Sequence, residues 1–192
     1  MGLKRTIALG LLAATPAWAD FDPSDYPPYE ICALCHGLYG QSATGRFPNL
    51  AGQPRDYLHS QIEAFRAGER HNDGGQMAAI VTEIEEDAIP VVVEWFSTQD
   101  PPPPFDTGGS DTGAVQFSEL GCDSCHDNSS TQDAHIPYLS AQHPSYLEKQ
   151  MLDFRENRRI NLPVHAVHSR LLAGPDIDPA AIAAYLAAQE RP

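Results

Sequence analysis

Cys32-Ala33-Leu34-Cys35-His36 returns further down the chain as Cys122-Asp123-Ser124-Cys125-His126, and together the two copies use all four cysteines of the protein. Two thiols three positions apart on one helical turn can each add across a vinyl group of the same porphyrin. The histidine that follows then lies under the ring with a nitrogen aimed at iron. The pattern predicts two covalent c-type haem sites, with Cys32, Cys35, Cys122 and Cys125 as attachment points and His36 and His126 as proximal iron ligands. A Cys-x-x-Cys pair also occurs as a redox dithiol, as half a zinc site or as a disulfide. No stretch reads as the βαβ unit beneath a thioredoxin-like dithiol, and a zinc site of four cysteines leaves the histidine after each pair unexplained.

Lys4 and Arg5, an apolar run from Ile7 to Ala14 and the closing Ala17-Trp18-Ala19 form a secretory signal, so residues 1–19 are expected to be removed and the mature chain to start at Asp20. The run is too short to span a bilayer. A soluble, periplasmic protein is expected. Export agrees with the haem reading, because haem is attached to such proteins outside the cytoplasm.

The chain has 12 Lys and Arg against 26 Asp and Glu, and loss of Lys4 and Arg5 takes the balance from −14 to −16. Nucleic acid is excluded as a partner, since binding it requires clustered positive charge. A redox partner with a basic docking patch fits better, because charge complementarity speeds encounter.

The two halves match at an offset of 89 to 90 residues. Phe47-Pro48-Asn49-Leu50-Ala51-Gly52-Gln53 aligns with Ile136-Pro137-Tyr138-Leu139-Ser140-Ala141-Gln142, and Tyr57, Leu58, Gln61, Phe65 and Arg66 align with Tyr146, Leu147, Gln150, Phe154 and Arg155. One small domain has been written twice, as 20–100 and 113–192, with a Pro- and Gly-rich linker at 101–112. Its consecutive prolines favour stiff polyproline II, a spacer more than a hinge. Within each copy the apolar residues recur at helical spacing. Helices are expected from Pro54 to Ala67, from Pro144 onward, from about Asp87 despite Pro90, and from Pro179 behind an Asp178 cap. Nothing alternates at period two, so the class is all-α.

The order Cys-x-x-Cys-His-Gly, Phe-Pro-Asn-Leu-Ala-Gly-Gln, then Tyr-Leu with a downstream Gln and Phe-Arg resembles the two-haem cytochromes c of the c4 family, over roughly 30–100 and 117–190. The resemblance implies two tandem class I cytochrome c domains about a pseudo-twofold axis, with haems close enough to exchange electrons. It implies a periplasmic carrier feeding an oxidase or another oxidoreductase. It also implies that the proximal histidines donate to the backbone carbonyls of Pro48 and Pro137.

For the first distal ligand, Met77 is the only methionine after the long helix and lies seven residues before Ile84, where the family's ligand falls; His71 is the competitor. The matching segment of the second copy, 161–168, contains no methionine. Met151 pairs with Ile62 on a buried stripe and reads as core. His165, seven residues before Leu172, is the preferred ligand, with His168 as runner-up and an open or water-bound iron as the third option. His59, His71 and His143 are expected to face solvent, and His135 and Arg46 to be able to neutralise a haem carboxylate.

Methionine ligation raises a haem potential relative to histidine, so electrons are expected to flow from the second lobe to the first. The leading function is a dihaem electron carrier. The rivals are a dihaem enzyme, of sulfur-compound oxidase or peroxidase type, and a cytochrome subunit of a larger dehydrogenase.

Overall fold

The computed structural model describes residues 26–129, 132–161 and 165–192, so the export segment 1–19 lies outside the described residues. Among them the regular structure is entirely helical. α1 (Glu30–His36), α2 (Arg55–Arg66), α3 (Gln76–Val81) and α4 (Ile89–Ser97) build the first lobe; α5 (Asp111–Glu119), α6 (Pro144–Arg155), α7 (His165–Leu171) and α8 (Pro179–Ala187) build the second.

The helix ends follow from the sequence. Gly68, at φ +72°, takes the left-handed conformation that stops the chain after α2. The Asp178 carboxylate accepts from the amides of Ala180 and Ala181 at 3.0 and 3.1 Å, satisfying two otherwise orphaned donors of α8. Pro90 is tolerated because it falls in the first turn of α4, which is entered through a single 3-10 turn at Glu86–Ala88. Each lobe has its own core: Ile89, Val92, Val93 and Phe96 of α4 close on Leu58 of α2, and Ile182, Ala183 and Leu186 of α8 close on Leu147 and Phe117.

α5 crosses α8 backbone to backbone at Gly113, where a Cβ would lie 2.0 Å from the Ala181 carbonyl oxygen. Gly113→Val is therefore expected to destabilise the second lobe by about 3 kcal/mol, the upper end of the usual overpacking penalty. Chemical denaturation followed by helical circular dichroism checks this, and an unchanged midpoint would refute it.

The linker is strapped down. The Phe105 amide donates to Ala187 O at 2.9 Å, the Thr107 hydroxyl to Ala184 O at 2.8 Å, and Gln41 Nε2 to Asp100 O at 3.2 Å. Asp111 and Thr112, counted with the linker in the sequence, form the first turn of α5.

The seam between the lobes repeats itself about a pseudo-twofold axis. Gln142 accepts from the Asn49 amide at 2.8 Å and donates to its carbonyl at 2.9 Å, while Gln53 does the same to Tyr138 at 3.0 and 2.9 Å. Each is the glutamine that closes its copy of the repeated segment, and each reads the backbone of the other copy, as an isologous interface requires. Arg191 adds three bonds, to Ala51 O and twice to Ser140 O. His143 departs from its expected solvent exposure. It is buried in this seam, with Nε2 2.9 Å from Ser42 O and its ring 4.7 Å from that of Phe105, because the apolar linker covers it.

Candidate functional site

α1 is one helical turn beyond a single turn, which suffices to place Cys32, Cys35 and His36 together. Gly37, at φ +77°, then reverses the chain so tightly that a Cβ would meet Gln41 O at 2.3 Å. The amides of Leu50 and Ala51 both return to Gly40 O, at 2.7 and 3.0 Å, and this closure brings Pro48 under the histidine. His36 Nδ1 lies 2.9 Å from Pro48 O and donates to it, which leaves Nε2 as the lone-pair nitrogen. Burial holds the His36 imidazole below its ordinary pKa and hence neutral, although the Pro48 contact opposes the shift. Its Nε2 is buried without a hydrogen-bond partner.

The second attachment site has the same logic on a different backbone. Cys122–Ser124 is a 3-10 turn entered through Gly121 at φ +68°, and the His126 amide closes it on Cys122 O at 2.9 Å. His126 Nδ1 lies 3.0 Å from Pro137 O. Burial pushes this imidazole down to about 4.

The thiols argue against dithiol chemistry. A reactive Cys-x-x-Cys pair needs a depressed thiol pKa, whereas burial pushes Cys32 up to about 11 and also raises Cys122. Among the described residues no group of three or more His, Cys, Asp or Glu converges as a metal site, so the two pairs do not form a shared zinc centre.

A cavity of about 940 Å³ runs through both lobes and reaches Cys32, Cys35, Cys122, Cys125, His36 and His126. Met77 lines it from α3. Two contacts fix that helix: Asp73 accepts from the Met77 amide at 2.5 Å, and the Arg66 guanidinium donates to Val81 O and Ile84 O, each at 2.7 Å. His71 is exposed and does not reach the cavity.

Opposite His126 stands His168, with ring centroids 6.2 Å apart and planes at 54°. Phe154 stacks on the His168 ring at 4.6 Å. His165 is not part of the cavity wall; its Nε2 lies 3.1 Å from Asn157 Oδ1. The wall is made by Val167, His168, Leu171 and Leu172, and His165 sits roughly a quarter-turn off that stripe. Met151 packs against the second core and borders the cavity, and Arg46 and His135 stand at exposed positions along its wall.

The residues fit a covalent porphyrin in each lobe: paired thiols and a buried, carbonyl-anchored imidazole at one cavity, with an orphaned His36 Nε2 in the first lobe and His168 facing His126 in the second. When bound, haem iron supplies one-electron chemistry. The chain's part is to hold both imidazoles neutral and oriented and to exclude water from them. Sequence reasoning passed over Arg70 and read Arg159 only as an acid–base candidate near His165; both are buried in the cavity wall at the seam. Their signal was present in Gln61 and Gln150, polar residues repeated on otherwise apolar helix faces, which need a buried polar partner.

No protein-family model matches the chain. Cytochrome c4 of Pseudomonas aeruginosa is 30% identical over 145 residues, covering 68% of this chain and 69% of that one. A thiosulfate dehydrogenase electron acceptor of Thiomonas intermedia is 27% identical over 206 residues, covering 97% of this chain and 92% of that protein. The solved structure of cytochrome c4 from Acidithiobacillus ferrooxidans aligns with a TM-score of 0.71 at 23% identity, over 83% of this chain and 99% of that one, and shares the fold. With such identity over more than two thirds of a relative, and with both attachment motifs seated in the cavity, the chain belongs to the cytochrome c4 family of dihaem electron-transfer proteins and carries two covalent haem c groups.

Proposed function

We propose that this protein is a periplasmic carrier that passes single electrons between redox proteins, with His36 and Met77 as axial ligands of the first haem and His126 and His168 of the second. The observation that supports it best is the pairing across the cavity. His168 faces His126 with ring centroids 6.2 Å apart and Met77 lines the same cavity as His36, which supports two filled iron sites with no open coordination position for a substrate. His168 here replaces His165, which the sequence favoured, because Asn157 engages His165 away from the cavity.

The electron donor is of the thiosulfate-oxidising class, since a relative spanning nearly the whole chain is named as the electron acceptor of thiosulfate dehydrogenase. The stretch 71–148 contains acidic residues and no Lys or Arg, which suits a donor with a basic docking face. No helix among the described residues is long and apolar enough to cross a membrane. Cleavage after Ala19 is part of the same proposal.

Intact-mass measurement of the exported protein is expected to give the chain from Asp20 plus two haem masses. Stopped-flow mixing with a reduced thiosulfate dehydrogenase is expected to reduce both haems, at a rate that falls steeply as salt is raised. Turnover of thiosulfate or peroxide by the isolated protein, or rapid carbon monoxide binding without any substitution, would favour the enzymatic reading instead.

A further inference from the structure

The two lobes differ by one helix. In the second, α5 packs along the outside of α8, with Gly113 against the Ala181 backbone and Phe117 buried in the core. At the offset of 90 that aligns the two attachment motifs, residues 26–29 stand where 116–119 complete α5. They include Pro27 and Pro28 and form no helix. Among the described residues no helix packs along the outside of α4 as α5 packs along α8.

The face left open is apolar. Val91, at the place of Ala181, is 50% exposed, and Leu38 and Tyr39, which stand against Trp95, are 45% and 58% exposed. Trp95 lies one turn on from Val91 and ties the group together: its Nε1 donates to Leu38 O at 2.7 Å, and its ring lies 6.2 Å from that of Tyr39. Tyr29 stacks flat on Trp95 at 4.0 Å and takes over the contact that Phe117 makes with Tyr185 in the second lobe, yet Val91 stays uncovered. Contiguous exposed apolar side chains of this kind, rimmed by polar ones, mark an interaction site.

The rim is acidic. Asp87 lies one turn before Val91, Glu94 three residues after it and Glu30 next to Tyr29, all of them exposed, while Arg55 is taken up by Glu94. A second copy of a chain with a net charge of −14 is repelled from such a rim, whereas basic side chains are drawn to it.

The second lobe supplies the template for what covers this face. We propose that the outer face of α4 is a docking site for an amphipathic helix of a partner protein, apolar toward Val91 and Trp95 and basic on its flanks, which completes the first lobe as α5 completes the second.

The test uses the mature dihaem protein and a fluorescent, side-chain-stapled peptide of Ser110–Gly121 carrying Asp111→Lys and Glu119→Lys, so that the probe keeps the apolar face of α5 and reverses its charge. Fluorescence anisotropy at low salt is expected to show saturable binding that weakens as salt is raised. Val91→Glu is expected to weaken binding by about tenfold or more, the loss of a typical interface anchor. Val115→Glu, at an exposed apolar position of α5 itself, is expected to leave it unchanged, with two haems per chain retained in both variants. A parent protein that does not bind the peptide, a Val91→Glu variant that binds as well as the parent, or equal binding of the peptide with its original Asp111 and Glu119 would overturn the proposal. So would the two other occupants of the face. A parent dimer in sedimentation equilibrium that Val91→Glu dissociates assigns the face to a second copy, and a gain in peptide affinity on Phe21→Ser assigns it to the start of this chain.

Discussion

His168→Ala is expected to turn the second haem, and only that one, into a high-spin form that binds one equivalent of carbon monoxide per chain where the parent protein binds none. His165→Ala is expected to leave both haems low-spin. The reason is a distance. A metal–imidazole bond is about 2.0 Å, and the bonded nitrogen lies roughly 1.1 Å from the ring centre, so two imidazoles across one metal have centroids about 6.2 Å apart. His126 and His168 stand at 6.2 Å. Phe154, stacked on the His168 ring at 4.6 Å, restricts that ring. Low-spin spectra surviving His168→Ala, or carbon monoxide binding after His165→Ala, would return the ligand to His165.

The sequence places both attachment motifs at the cavity, and the distal register is where the geometry departs from the spacing: His168, not His165, lines the wall opposite His126. The Cys-x-x-Cys-His copies are local, so spacing alone brings their side chains together. The choice of His165 was anchored on pairing Ile84 with Leu172, each seven residues after its candidate ligand. In the folded protein the cavity-facing triplet Met77, Ile80 and Val81 of α3 has its counterpart in His168 and Leu171 of α7 and Leu172 just after it, at the same sequence spacing. Helical phase, set by what each helix buries, decides the equivalence. His143 misled for a related reason: a polar residue before a helix proline reads as a surface cap until the linker is laid over it. The lobe seam was legible only as repetition. Gln53 and Gln142 were recognisable as equivalents, but that each grips the other's backbone is a long-range fact with no local trace.

Met77→His is expected to lower the first haem's potential until its titration step merges with that of the second, because it gives both irons the same pair of ligand types. A thioether is a soft donor that favours the ferrous state, whereas a second imidazole favours the ferric one. For a one-electron couple each 59 mV is a factor of ten, so a gap of about 0.12 V keeps the transferred electron on the first lobe by roughly a hundredfold. Removing the sulfur removes that bias and with it the direction of internal transfer. The substitution is local. α3 is held by Asp73 at the Met77 amide and by Arg66 at Val81 and Ile84, none of which depends on the thioether. The weak long-wavelength sulfur-to-iron band of the oxidised protein should vanish in the same variant, and Met77→Ala should abolish it as well. Two steps still separated by the original gap, with the band intact, would mean that Met77 only lines the cavity and that another side chain closes the first iron.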